Sequence, residues 1–247
     1  MYKTILINKG RIMKLVGLMG YARSGKNTAA QVLTNQGWTQ RAFADALREM
    51  LYVLDPIVEL DWSDKSSDLP GVRRLQCMVD CTDWDVAKSN PEVRRLMQVL
   101  GTECVRTFDT RFWVNILRAN LVDDAVHGVP GVVVTDVRFQ NEVDFIRAEG
   151  GKLIWIDKPG VGPLNDHESE AMTESTADAV IVNNGTEEEL WSRVLMEAGL
   201  KPKIRYLNLY RDDVDGFMPG GTLHETRREA IECSGGSKYI KTVEIEV

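Results

Sequence analysis

The stretch that decides the fold is "KLVGLMGYARSGKNT", residues 14–28. A compact apolar run, Lys14–Met19, leads into a glycine-rich loop, and a helical pattern follows from about Lys26 until Gly37. The loop fits G-x-x-x-x-G-K, which between a strand and a helix forms a phosphate-binding loop. Its backbone N–H groups converge on phosphate oxygens, and the helix N-terminus adds partial positive charge. We therefore predict a nucleotide phosphate site formed by Gly20, Arg23, Ser24, Gly25, Lys26, Asn27 and Thr28.

The position of the hydroxyl in this loop is unusual. Many phosphate loops carry Ser or Thr directly after the lysine, where the hydroxyl binds Mg²⁺. Here Asn27 follows Lys26, and the hydroxyl comes one residue later, at Thr28. This G-K-x-T order is similar to the loop of nucleoside monophosphate kinases. Because Mg²⁺ gives up its water reluctantly, we expect nucleotide oxygens and water to hold most of the ion, with Thr28 as a protein ligand.

Strand and helix patterns alternate along the chain, which favours a parallel sheet with crossover helices. The run "VVVTD", residues 132–136, is continuously apolar before its polar end, as in a strand buried on both faces. Further strands are predicted at residues 38–43, 152–157 and 178–184. Further helices are predicted at residues 46–54, 90–108, 110–126 and 141–149, the first of them capped by Asp45. A last helix is predicted after a capping box of Thr186 and Glu189 and ends at about residue 198.

The same sequence patterns divide the chain into three parts. Residues 1–12 are predicted to be an N-terminal extension, and residues 13–200 to be the phosphate-loop domain. Within that domain, residues 56–106 are predicted to form a helical, acceptor-binding insertion. Residues 56–89 are expected to be less regular, and the turn-rich stretch "ELDWSDKSSDLPG", residues 59–71, to be mobile. Residues 201–247 are predicted to be a small α+β appendage, with strands at its two ends and a turn and a short helix between them.

Charge and composition exclude several classes of partner. The 247 residues carry a formal net charge of -7, which argues against binding to nucleic acid or to an anionic membrane. No segment approaches the ~20 apolar residues of a membrane span, and no secretory signal is present. Four cysteines indicate a reducing cytoplasm. Cys77 and Cys81 can share a helix face, but zinc would need two more ligands, and the sequence offers none at suitable spacing.

A second group of residues points to phosphoryl transfer. Asp136 ends the buried strand, and ligands of open parallel sheets bind at the carboxyl ends of the strands. Asp136 is therefore predicted to orient Mg²⁺ and its waters, with a helix cap as the alternative. Guanidinium groups stabilise the crowded charge of two nucleotides, although a solvated helix face is the alternative for any one of them. The candidates are Arg94, Arg95, Arg106, Arg111 and Arg138.

Several segments, taken in order, resemble the phage deoxynucleoside monophosphate kinase family of the P-loop nucleoside monophosphate kinase group. They are "GYARSGKNT", "FADALRE", "RRLMQVLGTE", "FDTRFWV", "TDVRFQNE", "HESE" and "DAVIVNNGTEEEL", within residues 13–198. The resemblance implies an α/β fold with a five-stranded parallel sheet and helices on both faces. It also implies transfer of the γ-phosphoryl group of ATP to a deoxynucleoside monophosphate (dNMP), in the host cytoplasm if the gene is a phage's.

The resemblance also implies roles for individual residues. The catalytic residues would be Lys26, Arg111, Asp136 and Arg138, and the metal ligands Thr28 and Asp136. The acceptor-binding residues would be Phe43, Ala44, Asp45, Arg48, Arg95, Gln98, Arg111, Trp113 and Arg138. A loop near the ATP site would contain His167, Glu168 and Glu170. Family members often carry Pro and Lys within "FADALRE", where Ala46 and Arg48 stand here; Arg48 keeps the positive charge.

Two other functions remain open at this point. One is a P-loop kinase of another small phosphorylated metabolite, such as dephospho-coenzyme A or phosphomevalonate, because "FADALRE" resembles a stretch of dephospho-coenzyme A kinases too. The other is a nucleotide-binding protein that transfers no phosphate. Such a protein would bind one nucleotide only, so it would not need the group of arginines to bind a second phosphate-bearing ligand. The expected ligands are ATP, a dNMP and Mg²⁺. The family resemblance makes a homodimer one of the options for the oligomeric state.

Overall fold

The computed structural model describes residues 7–8, 11–59, 71–163, 171–200, 204–210, 218–224, 230–231 and 239–246. It divides into two compact units, Met1–Val194 and Leu195–Val247. The division lies close to the boundary predicted at residue 200. The roles assigned to the three parts of the chain remain predictions.

The first unit is an α/β fold built on a parallel sheet. Its strands are β1 (Ile7–Asn8), β2 (Arg11–Ile12), β3 (Lys14–Met19), β4 (Thr39–Arg41), β5 (Ile57–Glu59), β6 (Val72–Arg74), β7 (Gly131–Val134), β8 (Lys152–Asp157) and β9 (Ala179–Val182). Five of them form the parallel sheet in the order β4-β7-β3-β8-β9. The phosphate-loop strand β3 therefore occupies the centre, and the loops that follow β3, β4 and β7 meet at one edge of the sheet.

The described helices cover this sheet and its insertion. They are α1 (Lys26–Asn35), α2 (Ala44–Leu54), α3 (Leu75–Cys81), α4 (Trp84–Ala87), α5 (Pro91–Gln98), α6 (Val105–Phe108), α7 (Phe112–Val126), α8 (Gln140–Ala148) and α9 (Glu187–Glu197). None of the helices within the described ranges is long and apolar enough to cross a membrane. Every residue of β7 is buried, as the apolar run predicted, because helices pack on both faces of a central parallel strand.

Most predicted elements of the first unit are confirmed, with three exceptions. The strand predicted at residues 38–43 is only three residues long, Thr39–Arg41. The helix predicted at residues 90–108 is broken by a π-helical turn, Val99–Cys104, although its start is confirmed: the Asn90 side chain accepts N–H bonds from Glu92 and Val93. The insertion contains the antiparallel pair β5–β6 and two short helices where less regular chain was predicted, and residues 60–70, most of the segment predicted to be mobile, lie outside the described residues.

The second unit is built around an antiparallel sheet. Its strands are β10 (Ile204–Tyr210), β11 (Met218–His224) and β12 (Tyr239–Glu246), in the order β11-β10-β12. The two outer segments of the predicted appendage are strands, as expected. The strand β11 was not predicted, because Pro219 and the two glycines of "MPGG" are residue types that are depleted in strands. Ala230 and Ile231, within the predicted helical piece, are helical.

Candidate active site

The phosphate loop depends on two glycines for its shape. Gly20 has φ 130° and Gly25 has φ 101°, a backbone region that L side chains rarely adopt. A Cβ on Gly20 would lie 2.5 Å from the carbonyl oxygen of Ile156, and a Cβ on Gly25 would lie 2.4 Å from Nδ2 of Asn183. Both positions are therefore closed to any larger residue by contacts as well as by backbone conformation.

Lys26 is held against the backbone of its own loop. Its ammonium Nζ donates to the carbonyl oxygens of Gly20 and Tyr21, at 2.7 Å each. Two side chains, one just after β9 and one in α9, support the same turn: Asn183 donates to the Ser24 carbonyl at 2.8 Å, and the Trp191 indole donates to the Thr28 carbonyl at 2.9 Å. A positive charge and the N-terminus of α1 are thus fixed together at the carboxyl edge of the sheet.

The other predicted loop residues differ in exposure. Arg23 is exposed and takes positive φ, 67°, which is strained for a residue other than glycine. Asn27 is exposed and Thr28 half-buried. Ser24 is buried, and its hydroxyl has no hydrogen-bond partner among the described residues. The loop therefore presents Arg23 and Asn27 outward, whereas Ser24 packs inside it.

Asp136 caps the N-terminus of α2. One carboxylate oxygen accepts the backbone N–H of Phe43 at 2.7 Å, and the other accepts that of Ala44 at 3.0 Å. This is the cap that the sequence left as an alternative, formed across the sheet edge rather than within one segment. It also supplies an acceptor that Phe43, at the N-cap position, lacks. A carboxylate oxygen has two lone pairs, so the cap leaves each oxygen one further acceptor position.

A cavity of about 300 Å³ opens beside Asp136 at this edge of the sheet, and we call it the edge cavity. Of the predicted residues it is lined by Phe43, Ala44, Arg48, Arg94, Gln98, Arg106, Trp113, Asp136 and Arg138. The remaining lining residues are Ala22, Leu47, Lys88, Met97, Gly101, Thr102, Phe139 and Glu142. Ala22 belongs to the phosphate loop, so the loop and the edge cavity share a wall.

One helical face supplies much of the lining. Arg94, Met97, Gln98 and Gly101 recur at the i, i+3, i+4, i+7 spacing of a single face. The π-helical turn continues this face to Thr102, and the buried Trp113 indole donates to the Gly101 carbonyl at 2.9 Å. A Cβ on Gly101 would approach Leu47 at 2.9 Å. The close packing of α2, the π-helical turn and α7 therefore forms the apolar end of the edge cavity.

Three predicted acceptor residues lie outside the lining. Arg95 is one residue, and hence ~100° around the helix, from Arg94, and its guanidinium makes two 2.7 Å bonds to Glu92. Arg111 is exposed at the N-cap of α7. Asp45 was predicted to cap α2, but Phe43 occupies the N-cap position and Asp45 lies in the first turn of the helix.

Asp45 instead organises the chain just before α2. It accepts the Ala42 N–H at 2.7 Å and an Arg48 N–H at 2.8 Å, and burial raises its pKa. Asp45 therefore holds Arg48, which does line the edge cavity, without being part of the lining itself.

Glu142 was not predicted as a site residue, although it lies in the edge cavity. It is 1% exposed, and burial raises its pKa to about 7. One carboxylate oxygen accepts the N–H groups of Arg138 at 2.7 Å and Phe139 at 3.1 Å, and the other accepts from the Arg106 guanidinium. The only sequence signal is the placement of a glutamate at the third position of α8, where capping boxes use it.

The remaining sequence predictions concern the loop over ATP and metal binding. His167, Glu168 and Glu170 lie outside the described residues. Cys77 and Cys81 share a face of α3, with their Sγ atoms 4.0 Å apart. No group of three or more His, Cys, Asp or Glu side chains that could hold a metal ion is found in the described part of the chain.

Comparison with known proteins identifies related chains. Residues 78–194 match the family model described as deoxynucleotide monophosphate kinase. A protein of Acanthamoeba polyphaga mimivirus, provisionally named a deoxynucleotide monophosphate kinase, is 32% identical over 204 residues, which span 74% of this chain and 95% of that protein. The deoxynucleotide monophosphate kinase of Enterobacteria phage T4 is 38% identical over 104 residues, which span 41% of this chain and 43% of the phage protein.

Among solved structures, a sugar kinase from Janibacter sp. HTCC2649 is 15% identical, with 76% of this chain and 95% of that chain covered and a TM-score of 0.40. At that score the similarity carries no argument about activity.

Proposed function

The chain belongs to the deoxynucleotide monophosphate kinase family, and we propose that it transfers the γ-phosphoryl group of ATP to a deoxynucleoside monophosphate. ATP would bind on the phosphate loop, and the dNMP in the edge cavity. The products would be ADP and the deoxynucleoside diphosphate. Both substrates are small anions, and a local group of cations in the edge cavity can bind them although the chain as a whole is acidic.

One observation supports this proposal more than any other: the phosphate loop and the edge cavity share Ala22. A kinase with a phosphorylated acceptor has to bring the two nucleotides together end to end, so that the reacting oxygen and phosphorus are in contact. A shared wall places a ligand of the edge cavity beside the phosphates of a ligand on the loop.

The charge of the edge cavity fits a phosphorylated acceptor. Its lining contains the cationic residues Arg48, Lys88, Arg94, Arg106 and Arg138, against the two carboxylates Asp136 and Glu142. The excess of positive charge favours a phosphate group, and guanidinium groups can bind one through two parallel hydrogen bonds. The apolar end, with Leu47, Met97 and Trp113, offers a surface on which a nucleobase can pack.

The reaction itself needs no covalent intermediate on the protein. An oxygen of the acceptor phosphate is already a nucleophile at neutral pH, so the protein mainly positions the groups and neutralises charge. The bond from the γ-phosphorus to the bridging oxygen of ATP breaks as the bond to the acceptor oxygen forms, and ADP leaves. Lys26 and the loop N–H groups would hold the donor phosphates, while Arg138 and its neighbours would hold the acceptor.

The donor set also suits Mg²⁺. The ion prefers hard oxygen ligands and keeps several waters, and Thr28 and Asp136 offer a hydroxyl and a carboxylate. Each Asp136 oxygen already accepts one N–H bond and keeps a further acceptor position, which suits a contact to the ion's water. When bound, the ion would neutralise charge on the donor phosphates.

An acceptor screen tests the proposal. Purified protein with ATP and Mg²⁺ is offered each deoxy- and ribonucleoside monophosphate, together with dephospho-coenzyme A and phosphomevalonate, while ADP release is followed. We expect ADP release that depends on a dNMP and yields the diphosphate. Turnover of one of the other metabolites alone would assign a different kinase activity. ATP binding with no acceptor-dependent ADP release would contradict the proposal.

A further inference from the structure

We propose that Glu142 is a positioning residue that fixes the Arg106 guanidinium at the edge cavity for phosphoryl transfer. The inference rests on the proposed function for its kinetic consequences, but not for its geometry. Glu142 does not need to touch a substrate for this role. It would act through Arg106, while the N–H groups of Arg138 and Phe139 hold its own carboxylate in place.

The first argument is the number of contacts that converge on Arg106. Its guanidinium carbon lies 3.8 Å from the centre of the Phe139 ring, and Nη2 donates to Glu142. Nη1 lies 3.4 Å from Oδ1 of Asn141, whose amide in turn donates to the Thr110 carbonyl. Arginine has one of the most flexible side chains, so holding it in one place requires several contacts of this kind.

The second argument is the position of Glu142 between two elements. One oxygen of its carboxylate binds the N–H groups of Arg138 and Phe139, which follow the sheet edge, and the other binds Arg106 at α6. The side chain is almost wholly buried, whereas that of Arg106 is 12% exposed. A single carboxylate therefore ties a cation of the helical insertion to the turn that carries Arg138.

The third argument is the sign of the charge. A carboxylate in a cavity that binds phosphate repels the ligand, and burying it costs free energy. Helix capping alone does not require a charged group there, since uncharged residues cap helices well. A fixed cation, however, stabilises a transition state without reorganising at the moment of reaction, and this explains why a buried acid faces an anion site.

The test is Glu142→Gln, which preserves the size of the side chain and removes its charge. With Arg106 no longer fixed, we expect kcat to fall about 10- to 100-fold, because small misplacements of reacting groups have effects of this size. KM for the dNMP should stay equal or decrease, because a repelling charge has gone. The matched control is Glu149→Gln, a second buried glutamate of the same region that pairs with Arg118 and does not line the edge cavity. It should keep kcat within about twofold.

A double-mutant cycle with Arg106→Ala separates positioning from a structural role. If Glu142 acts through Arg106, Glu142→Gln lowers kcat no further in the Arg106→Ala background. Additive losses, or a kcat within about twofold of wild type for Glu142→Gln alone, would overturn the proposal. If Glu142→Gln is too unstable to purify, Glu142→Asp replaces it in the same cycle, because the shorter carboxylate reaches Arg106 less well.

A readout independent of activity keeps this inference apart from the proposed function. The ¹⁵N resonance of Arg106 Nε, assigned by its loss in Arg106→Lys, reports how restricted the guanidinium is. We expect a restricted group in the wild type and in Glu149→Gln, and a measurably more mobile one in Glu142→Gln, where only the contacts with Phe139 and Asn141 remain. Equal mobility in all three proteins would refute the positioning role. Absence of dNMP turnover by the wild type would instead refute the proposed function.

Discussion

The phosphate loop and the edge cavity touch at Ala22, yet the chain builds them in different ways. The loop is one continuous stretch, and its shape depends on backbone conformation at Gly20 and Gly25. The edge cavity is assembled from side chains of α2, α5, the π-helical turn, α7 and the segment that follows β7. A single change in the loop should therefore disable the whole site, whereas single changes in the edge cavity should have graded effects.

The strongest test of this difference is Lys26→Ala. Removing the Lys26 ammonium, which the loop backbone holds, should lower kcat on the order of 10³-fold, the range seen when one group that stabilises transition-state charge is lost. The fold should persist, because the lost bonds to the Gly20 and Tyr21 carbonyls stabilise it by only about 1 kcal/mol each. Steady-state kinetics and circular dichroism measure both quantities.

The matched control for Lys26 is Lys152→Ala, at the amino end of β8 and hence at the opposite edge of the sheet. It should leave kcat unchanged within about twofold. A Lys26→Ala protein with near-normal turnover would show that the loop lysine has no part in the transfer.

The second test changes the loop backbone without touching a charge. Gly25→Ala places a Cβ against Asn183, which must then release the Ser24 carbonyl, and adds the cost of positive φ. We expect a loss of about 2–3 kcal/mol in unfolding free energy and about a hundredfold loss in kcat/KM for ATP. Denaturant titration and kinetics check these values.

The control for this backbone change is Gly128→Ala. Gly128 also has positive φ, 77°, but no atom lies within 4 Å of the added Cβ. The unfolding free energy of the Gly128→Ala protein should fall by about 1 kcal/mol, while its activity stays unchanged. Equal losses in the two variants would mean that the contact with Asn183 is unimportant.

The third test compares two neighbouring arginines in the edge cavity. Arg94 lines it, whereas Arg95 faces away and pairs with Glu92. Arg94→Ala should raise KM for the dNMP about 10- to 100-fold, as expected for one lost charge-assisted hydrogen bond. Arg95→Ala should change it less than about twofold, because exposed ion pairs contribute little. The reverse order would support the prediction that Arg95 binds the acceptor.

The fourth test, with the smallest expected effect, uses pH. Burial raises the pKa of Glu142 from 4.5 in its ordinary state to about 7 in the folded protein, so the folded state holds this proton more tightly than the unfolded state. Stability from this group is therefore greatest at low pH and falls as the pH rises between these two values. The wild type should lose about 2 kcal/mol of unfolding free energy between about pH 5 and 7.

Glu142→Gln should remove this part of the pH dependence, and any slope that it retains belongs to other groups. Denaturant titrations of both proteins across the pH range measure the difference. Identical slopes would show that Glu142 is already ionised throughout.

The sequence predicted the phosphate loop and the order of strands and helices well, because both depend on local patterns. G-x-x-x-x-G-K and the apolar runs at β3, β7 and β8 are written in consecutive residues. The sequence did not reveal that Arg95 lies outside the lining of the edge cavity, because the direction of a side chain depends on rotation around a helix whose buried face the sequence alone does not show. Arg94 and Arg95 are adjacent residues of the same type, and only the packing of the helix decides that Arg94 lines the edge cavity and Arg95 does not.

Residues 14–28 determined by themselves that this chain forms a phosphate loop, because glycine freedom and helix polarity are properties of a short segment. Only the tertiary structure decided that Asp136 caps a helix that begins 92 residues earlier in the chain, and that Glu142 meets Arg106. Such contacts join residues distant in sequence, and their energies depend on burial and on distances that arise once the sheet edge has assembled.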